Sequence, residues 1–477
     1  MYPDISLHID GSWTKASGGK TIPVLNPASG EPIGAVPQAE IADLERAAQA
    51  AEKGFRVWRK ASAFERYGVL RKAATNLRTR VEEIARTMTL EQGKPVSEAK
   101  LETLNAADVI DWFAEEGRRA YGWIIPARFE GFYQLAIKEP VGPVAAFTPW
   151  NFPINQAVRK VSGALAAGCS IVLKGAEDTP ASVAEFIRCF VDAGVPPGVI
   201  NLVYGIPSEI SEYLVPHPLI RKISFTGSTT VGKHLASLAG KHMKRLTMEL
   251  GGHAPGIVFE DADLDQAVKV LASGKFRNAG QVCIAPTRLL VHEPLYESFV
   301  ERFTATAKAL KIGDGLDPQT KMGPLVSSRR VDAMEGFVAD AKAKGATIRT
   351  GGHRIGNKGF FFEPTVLTDV PKDARMMNEE PFGPVAMIAP FKDFDSAVSE
   401  ANRLPYGLAA YAFTKSAKTA AAIGSAIESG MVAINNAALA LPELPFGGVK
   451  DSGYGTEGGA EALEGYLTTK YIAQVGV

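Results

Sequence analysis

Cys283 is the residue whose surroundings best suit covalent chemistry. The chain of 477 residues has three cysteines, Cys169, Cys189 and Cys283. The first two lie among Ala, Phe and Ile on predicted helix or strand faces, where a cysteine is an inert, small apolar side chain. Cys283 follows a segment that contains Gly, Asn and Gln, and a turn there would expose the thiol, as a reactive thiolate requires. On residue type alone, a lone cysteine is more often a buried core residue than a nucleophile.

Two other polar residues stand at the ends of predicted strands. Glu249 ends an apolar strand, where its carboxylate would either face solvent or act as a general base at the carboxyl edge of a sheet. Asn151 occupies the equivalent position after an earlier strand. Its residue type alone favours a helix N-cap.

Alternating strand and helix patterns would position these side chains. Strands at this spacing predict an α/β protein with a doubly wound parallel sheet, whose ligands bind beyond the carboxyl ends of the strands. A second α/β half begins near Gly251. Helices are predicted over residues 41–60, 63–78 and 81–92, up to Gly168, and from Thr179-Pro180 to near Gly194. Strands are predicted at 144–147, 171–173, 199–204, 223–225 and 246–250.

A literal G-x-G-x-x-G occurs at Gly453, Gly455 and Gly458, but its position argues against dinucleotide binding. The preceding segment 446–451 is predicted to be a turn, and only about 20 residues follow the motif, too few for a β-α-β unit. Segment 225–232 is the better phosphate site, because it follows a predicted strand and opens a predicted helix whose N–H groups can face a pyrophosphate. A plain strand-to-helix connection fits the same residues equally well.

Composition limits the class of protein. The 52 Lys+Arg balance 52 Asp+Glu, and the chain is 46% hydrophobic and 22% charged, which is typical of a globular protein of two to four domains. Without a basic excess no nucleic-acid partner is expected, and three scattered cysteines predict neither a disulfide framework nor a metal site. Residues 1–10 lack signal-peptide features, and no segment approaches the roughly 20 apolar residues of a membrane span. A cytoplasmic enzyme is therefore expected.

Six motifs follow one another along the chain. They are Thr148-Pro149-Trp150-Asn151-Phe152-Pro153, Phe225-Thr226-Gly227-Ser228, Glu249-Leu250-Gly251-Gly252, Gly280-Gln281-Val282-Cys283, Glu380-Pro381-Phe382-Gly383-Pro384 and Pro445-Phe446-Gly447-Gly448. In this order they resemble the motifs of the aldehyde dehydrogenase superfamily, most closely those of its succinic and α-ketoglutaric semialdehyde dehydrogenases. The resemblance covers essentially the whole chain and implies two doubly wound Rossmann-like domains with a small β oligomerisation arm.

The resemblance implies catalytic roles for three residues. Cys283 would attack the aldehyde carbon as a thiolate and form a thiohemiacetal. The Asn151 amide and the Cys283 backbone N–H would bind the resulting oxyanion. After hydride transfer to a nicotinamide cofactor, Glu249 would activate the water that hydrolyses the thioester.

The resemblance also implies a cofactor site. Lys174 and Glu177 would bracket the adenosine ribose, where the Glu177 carboxylate repels a 2′-phosphate and so favours NAD. Lys174 could partly compensate, which would permit NADP as well. The cofactor-binding residues implied are Thr148, Trp150, Lys174, Glu177, Gly227, Ser228, Glu380 and Phe382.

Two arginines indicate the substrate. Arg159 and Arg277 resemble arginines that hold the far carboxylate of succinic semialdehyde, and guanidinium groups bind carboxylates in bidentate fashion. A buried arginine needs an anion, which the substrate would supply. Surface salt bridges are the alternative. The loop 435–444 is longer than the serine-bearing loop typical of succinic semialdehyde enzymes, which leaves room for α-ketoglutaric semialdehyde.

The implied domains are a cofactor-binding domain (1–119 and 139–250), a catalytic domain (251–435) and an oligomerisation arm (120–138 and 455–477). The arm's exposed strands need a partner edge, which predicts a homodimer or homotetramer. Three alternatives stay open at this point: a broad-specificity enzyme for uncharged aldehydes, a cysteine-dependent ester hydrolase without a redox step, and a catalytically silent relative.

Overall fold

The computed structural model describes residues 2–475. Its strands are short and follow the apolar segments of the sequence. In chain order they are β1 (Leu7–Ile9), β2 (Ser12–Thr14), β3 (Thr21–Leu25), β4 (Pro32–Pro37), β5 (Trp123–Ile125), β6 (Phe132–Pro140), β7 (Val144–Phe147), β8 (Ile171–Lys174), β9 (Ile200–Val203), β10 (Lys222–Thr226), β11 (Arg245–Glu249), β12 (Pro255–Val258), β13 (Arg288–His292), β14 (Thr347–Thr350), β15 (Thr365–Thr368), β16 (Val385–Phe391), β17 (Tyr406–Gly407), β18 (Ala409–Phe413), β19 (Met431–Ile434), β20 (Val449–Lys450), β21 (Gly453–Tyr454) and β22 (Leu467–Val475).

Helices connect and cover these strands. They are α1 (Ile41–Trp58), α2 (Ala63–Thr79), α3 (Val81–Gln92), α4 (Val96–Gly117), α5 (Pro153–Ala167), α6 (Pro180–Ala193), α7 (Pro207–Leu214), α8 (Thr229–Lys241), α9 (Leu264–Phe276), α10 (Tyr296–Lys308), α11 (Ser328–Ala343), α12 (Phe394–Asn402), α13 (Ala417–Ala426) and α14 (Glu461–Glu464). None of the helices in residues 2–475 has the length and apolar character to cross a membrane.

Two large sheets form the frame of the molecule. The first has the order β2-β1-β9-β8-β7-β10-β11-β21, and its five strands from β9 to β11 are parallel. The second has the order β14-β15-β16-β13-β12-β18-β19 and is parallel except for β14. Strands β7 to β10 are buried along their whole length, as expected of parallel strands covered by helices on both faces. The predicted doubly wound α/β fold is confirmed.

A third sheet is antiparallel, with the order β22-β6-β5. It is built from the segments predicted to form an arm, and β6 runs two residues beyond the predicted limit of 138. The first sheet lies within 1–119 and 139–250 except for β21, and the second lies within 251–435. The functional division of these segments stays a prediction. Met1, Gly476 and Val477, at the ends of the predicted segments 1–119 and 455–477, lie outside the described residues.

The helices and strands around the motifs lie where the sequence places them. Helices α1, α2 and α3 match the predicted ranges to within two residues, and β11 begins and ends one residue earlier than predicted. Helices α5 and α6 end at Gly168 and Gly194, whose φ angles are 93° and 99°. Glycine adopts this left-handed conformation at a helix C-terminus at low cost.

The turn predicted over 446–451 is partly wrong. Val449–Lys450 forms β20, and Gly453–Tyr454 forms β21, which pairs antiparallel with β11 at the sheet edge. A Cβ at Gly453 would lie 1.9 Å from the Met248 carbonyl oxygen, so only glycine permits this close pairing. Gly453 therefore serves strand packing, and the G-x-G-x-x-G motif does not join a strand to a phosphate-binding helix.

Candidate active site

Two adjoining cavities lie beyond the carboxyl ends of β7 and β10. Their volumes are about 520 Å³ and about 550 Å³. Both are lined by Trp150, Thr226, Gly227, Ser228 and Arg329, so together they form one groove, called here the cofactor groove. This is the position expected for the ligand of a doubly wound sheet.

Cys283 lines the first of these cavities and also a smaller one of about 70 Å³. It is half-buried, whereas Cys169 and Cys189 are fully buried. Burial, together with the carboxyl groups of Glu380 and Glu249, raises the pKa of the Cys283 thiol to about 12. Because Cys283 is half-buried, its thiol is accessible, as the sequence predicts. Because its pKa is raised, the thiol is protonated at neutral pH in the free protein.

Asn151 lies beside the Cys283 segment. Its Nδ2 donates a hydrogen bond to the Gln281 carbonyl oxygen at 3.0 Å. The N-cap interpretation is wrong, because the residue before the first turn of α5 is Phe152. The Asn151 backbone carbonyl instead accepts hydrogen bonds from Lys94 Nζ at 2.8 Å and Asn278 Nδ2 at 2.9 Å. Asn151 and Cys283 both line the first cavity.

Glu249 is the last residue of β11 and is 2% exposed, so the solvent-facing alternative is wrong. Within residues 2–475, neither carboxyl oxygen has a hydrogen-bond partner. Burial and the nearby Glu457 raise the pKa of Glu249 well above its usual range, while Lys160 and Arg159 oppose the shift. The carboxyl group lies near Gly447, where a Cβ would be 3.4 Å from Oε1. Burial therefore favours the protonated carboxyl group over the carboxylate at this position.

Lys174 and Glu177 meet at the second cavity. Lys174 ends β8, and its Nζ forms an ion pair with the Glu177 carboxylate. Thr148, at the end of β7, lines the same cavity. The structure therefore brings these three predicted cofactor residues together at one end of the groove.

The turn at Gly227 and Ser228 joins β10 to α8, as predicted. Ser228 is the N-cap of α8, and its hydroxyl accepts a hydrogen bond from the Val231 N–H at 3.4 Å. A Cβ at Gly227 would lie 2.5 Å from the Phe225 ring, so glycine is required there. The bare backbone and the helix N-terminus suit a phosphate group.

Glu380 and Phe382 lie in the first cavity. Glu380 accepts a hydrogen bond from the Gly252 N–H at 3.2 Å, and burial raises its pKa to about 7. Phe382 has a φ of 48° and packs edge-on against Trp150, with ring centroids 5.7 Å apart. Arg330 supports this strained turn by donating to the Phe382 carbonyl at 3.0 Å. No sequence motif pointed to Arg330.

Arg159 and Arg277 both line the small cavity on the side of Cys283 away from the cofactor groove. The sequence argument that both are buried and in need of an anion is wrong. Arg277 is exposed. Arg159 is buried, but it donates to the carbonyl oxygens of Glu457 and Ala440 and lies 4.8 Å from the Phe446 ring centroid. Only Arg277 therefore has its full hydrogen-bonding capacity available to a ligand.

Two buried ion pairs near the site were missed by the sequence analysis. Lys160 pairs with Glu457 and donates to Thr226 Oγ1 at 2.8 Å, while Lys94 pairs with Glu102 at 2.5 Å. The available signal was Lys160 itself, which follows Arg159 directly in a helix whose other residues are mostly apolar.

Comparison with known proteins agrees with this geometry. Residues 13–472 match the model of the aldehyde dehydrogenase family. The chain belongs to this family. It is 48% identical to the 4-(hydroxymethyl)benzenesulfonate dehydrogenase of Comamonas testosteroni, over 100% of this chain and 99% of the relative. It is 43% identical to the NADP⁺ succinate-semialdehyde dehydrogenase of Escherichia coli K12, over 97% and 96%. The crystal structure of succinate-semialdehyde dehydrogenase from Burkholderia pseudomallei superposes with a TM-score of 0.97, at 42% identity over 99% and 98% of the two chains.

This aldehyde dehydrogenase is an NAD(P)-dependent oxidoreductase. The residues of the cofactor groove fit a dinucleotide. The Glu177 carboxylate and the Lys174 ammonium lie in the second cavity, the Gly227 turn lines both cavities, and Glu380 lies in the first. Within residues 2–475 no cluster of three or more acidic, His or Cys side chains could hold a metal ion.

Replacing Glu177 with serine is expected to shift cofactor preference toward NADP. The change removes a negative charge and releases Lys174 to bind a 2′-phosphate. Charges about 4 Å apart interact by ~1–4 kcal/mol at a protein surface, so the NADP/NAD ratio of kcat/KM should rise about 10-fold to 100-fold. Glu212→Ser is the matched control, since Glu212 is an exposed carboxylate in the same cavity. An unchanged ratio in Glu177→Ser would show that the carboxylate does not face the ribose.

Proposed function

We propose that this enzyme oxidises a short aldehyde that carries a carboxylate at its far end, such as succinic or α-ketoglutaric semialdehyde. The observation that carries the proposal is the position of Cys283 between the cofactor groove and a small cavity that contains two arginines. A water needs about 10–15 Å³ of such space, so about 70 Å³ suits a substrate of few atoms. The succinate-semialdehyde relatives support the same class.

A sulfonate is the second candidate for the far anionic group. The Comamonas relative is named for a benzenesulfonate, and a guanidinium pairs with sulfonate oxygens as it does with carboxylate oxygens. The loop 435–444 contributes Ala440 to the small cavity, where no side chain of the loop offers a third polar contact. A test of the far group therefore includes both anions.

The proposed chemistry begins at Cys283. Its thiol gives its proton to solvent water and the sulfur attacks the aldehyde carbon, while the Asn151 amide donates a hydrogen bond to the oxygen that becomes negative. Asn151 needs no large movement to do so, because its Nδ2 has one hydrogen bonded to Gln281 and a second available.

NAD(P)⁺, when bound in the groove, supplies the hydride acceptor. Lys174 and Glu177 would hold its adenosine ribose, the Gly227 turn its phosphates and Glu380 its nicotinamide ribose. Glu249 would then take a proton from the water that hydrolyses the Cys283 thioester and releases the acid.

Arg277→Ala tests the substrate class. The variant should lose about 10-fold to 100-fold in kcat/KM for succinic semialdehyde, because a hydrogen bond to a charged group contributes about 1.5–3 kcal/mol. The loss for butanal, which has the same chain length and no charge, should stay below about threefold. Arg302→Ala is the control, since Arg302 is exposed and pairs with Asp265 outside the small cavity.

Arg277→Ala is the cleaner of the two arginine variants, because removing Arg159 also takes a hydrogen bond from the buried Glu457 carbonyl and from the partly buried Ala440 carbonyl. Equal losses for both substrates would contradict the proposal and indicate a broad-specificity enzyme. If Arg277→Ala lowered kcat/KM for a sulfonated aldehyde and not for succinic semialdehyde, a sulfonate would be favoured as the far anionic group.

We also propose that the third sheet pairs with a second copy of the chain. The sheet and the connection between β5 and β6 expose large apolar and aromatic side chains that a free monomer seldom presents together. These are Trp123, Ile124, Phe129, Tyr133 and Tyr471. A homodimer or homotetramer in the cytoplasm stays a prediction, which light scattering of the purified protein would test.

A further inference from the structure

The backbone just before Cys283 adopts an unfavourable conformation. Asn278, Ala279 and Gly280 have φ angles of 47°, 51° and 71°. The first two are left-handed residues with a Cβ, a conformation that persists only where the surroundings hold it in place. At Gly280 a Cβ would lie 2.1 Å from the Gly383 carbonyl oxygen. The segment that presents Cys283 therefore depends on contacts made elsewhere.

Asn278 supplies those contacts with every polar atom it has. Its Oδ1 accepts from Gln92 Nε2 at 2.8 Å, and its backbone N–H donates to Glu98 at 2.9 Å. Its Nδ2 donates to the carbonyl oxygens of Asn151 at 2.9 Å and Gln281 at 3.3 Å. The side chain is 1% exposed, so water cannot replace these partners.

Lys94 is a second hydrogen-bond donor to the Asn151 carbonyl group. Its Nζ donates to the Asn151 carbonyl at 2.8 Å and pairs with Glu102 at 2.5 Å, with both side chains almost fully buried. Glu102 in turn accepts from the N–H groups of Ile154 and Asn155 at the start of α5. The segment after β7 and the segment before Cys283 are thus joined through the Asn151 carbonyl oxygen, which accepts hydrogen bonds from both Lys94 and Asn278.

We propose that Asn278 and Lys94 are positioning residues that fix the Asn151 amide relative to Cys283, so that the substrate oxygen meets its donor when the sulfur attacks. The inference rests on the catalytic roles of Asn151 and Cys283 in the proposed function. Asn278 touches no reacting atom. It acts by holding together two segments that are more than 120 residues apart in the chain, and a displacement of about 1 Å at such a site is enough to slow a reaction about 100-fold.

A double-mutant cycle tests this role. Asn278→Gly keeps the left-handed backbone accessible and removes the bridging amide. Alone, it should lower kcat by about 10-fold to 100-fold, with the KM for the cofactor changed less than about twofold. In an Asn151→Ala background, where the amide to be positioned is absent, the same substitution should cost less than about threefold in kcat. Equal losses in the two backgrounds would overturn the proposal, because a purely structural role is additive.

A second variant covers the case in which Asn278→Gly does not fold, judged by circular dichroism. Lys94→Met with Glu102→Gln removes one donor to the Asn151 carbonyl, leaves no buried unpaired charge and keeps an acceptor for the start of α5. It should show the same non-additivity with Asn151→Ala, and additive losses would overturn the proposal. Butanal serves as substrate throughout, so a failure of the anionic-substrate proposal does not alter this result.

Discussion

Cys283→Ala is expected to abolish aldehyde oxidation, lowering kcat on the order of 10⁴-fold or more, because the covalent step has no other nucleophile. The Kd for NAD, measured by quenching of tryptophan fluorescence, should change by less than about threefold, since the groove extends well beyond Cys283. Near-normal turnover in the variant would remove the basis of the nucleophile assignment.

The other two cysteines provide matched controls. Burial raises the pKa of both Cys169 and Cys189 to about 11 and encloses their sulfur atoms. Cys169→Ala and Cys189→Ala should keep turnover within about threefold of the parent. Iodoacetamide should modify Cys283 first, and its rate should rise from pH 7 to pH 10, because a thiol whose pKa is raised forms more thiolate as the pH increases. A pH-independent rate would indicate a preformed thiolate.

The candidate site is largely predictable because its residues obey a local rule. Asn151, Lys174, Ser228 and Glu249 all stand at or just beyond the carboxyl ends of parallel strands. Apolar periodicity locates each strand, and the topology of a doubly wound sheet brings those ends to one edge. A residue at the end of a strand can therefore be assigned to the ligand edge before any contact is known.

What the sequence could not supply is the partner of each buried polar group. Asn278 meets Gln92 across 186 residues and Asn151 across 127 residues. Periodicity identifies the face of an element but not the distant side chain that packs on it. The exposure of Arg277 was misjudged for the same reason, because closeness to Cys283 in sequence does not establish burial. The strand at Gly453 has no local signal either, because its close approach to Met248 is a tertiary contact.

Glu249→Gln is expected to separate the two halves of the reaction. Attack and hydride transfer need no base at this position, so a stopped-flow burst of about one reduced cofactor per active site should remain. Hydrolysis of the thioester needs a proton acceptor, whose loss typically costs about 10²-fold to 10⁴-fold. Steady-state kcat should fall by that factor while the burst amplitude is retained. Glu428→Gln, which changes an exposed carboxylate, should leave both phases unchanged.

The pH dependence gives the same assignment an independent test. Because burial and Glu457 raise the pKa of Glu249, its carboxylate form increases as the pH rises. The parent's hydrolysis step should therefore accelerate with pH, whereas that of Glu249→Gln should lack this rise. If the burst and the steady-state rate instead fell together, Glu249 would act earlier, as the group that removes the proton from Cys283. The burst decides between these two roles, because hydride transfer in the first turnover precedes hydrolysis of the thioester.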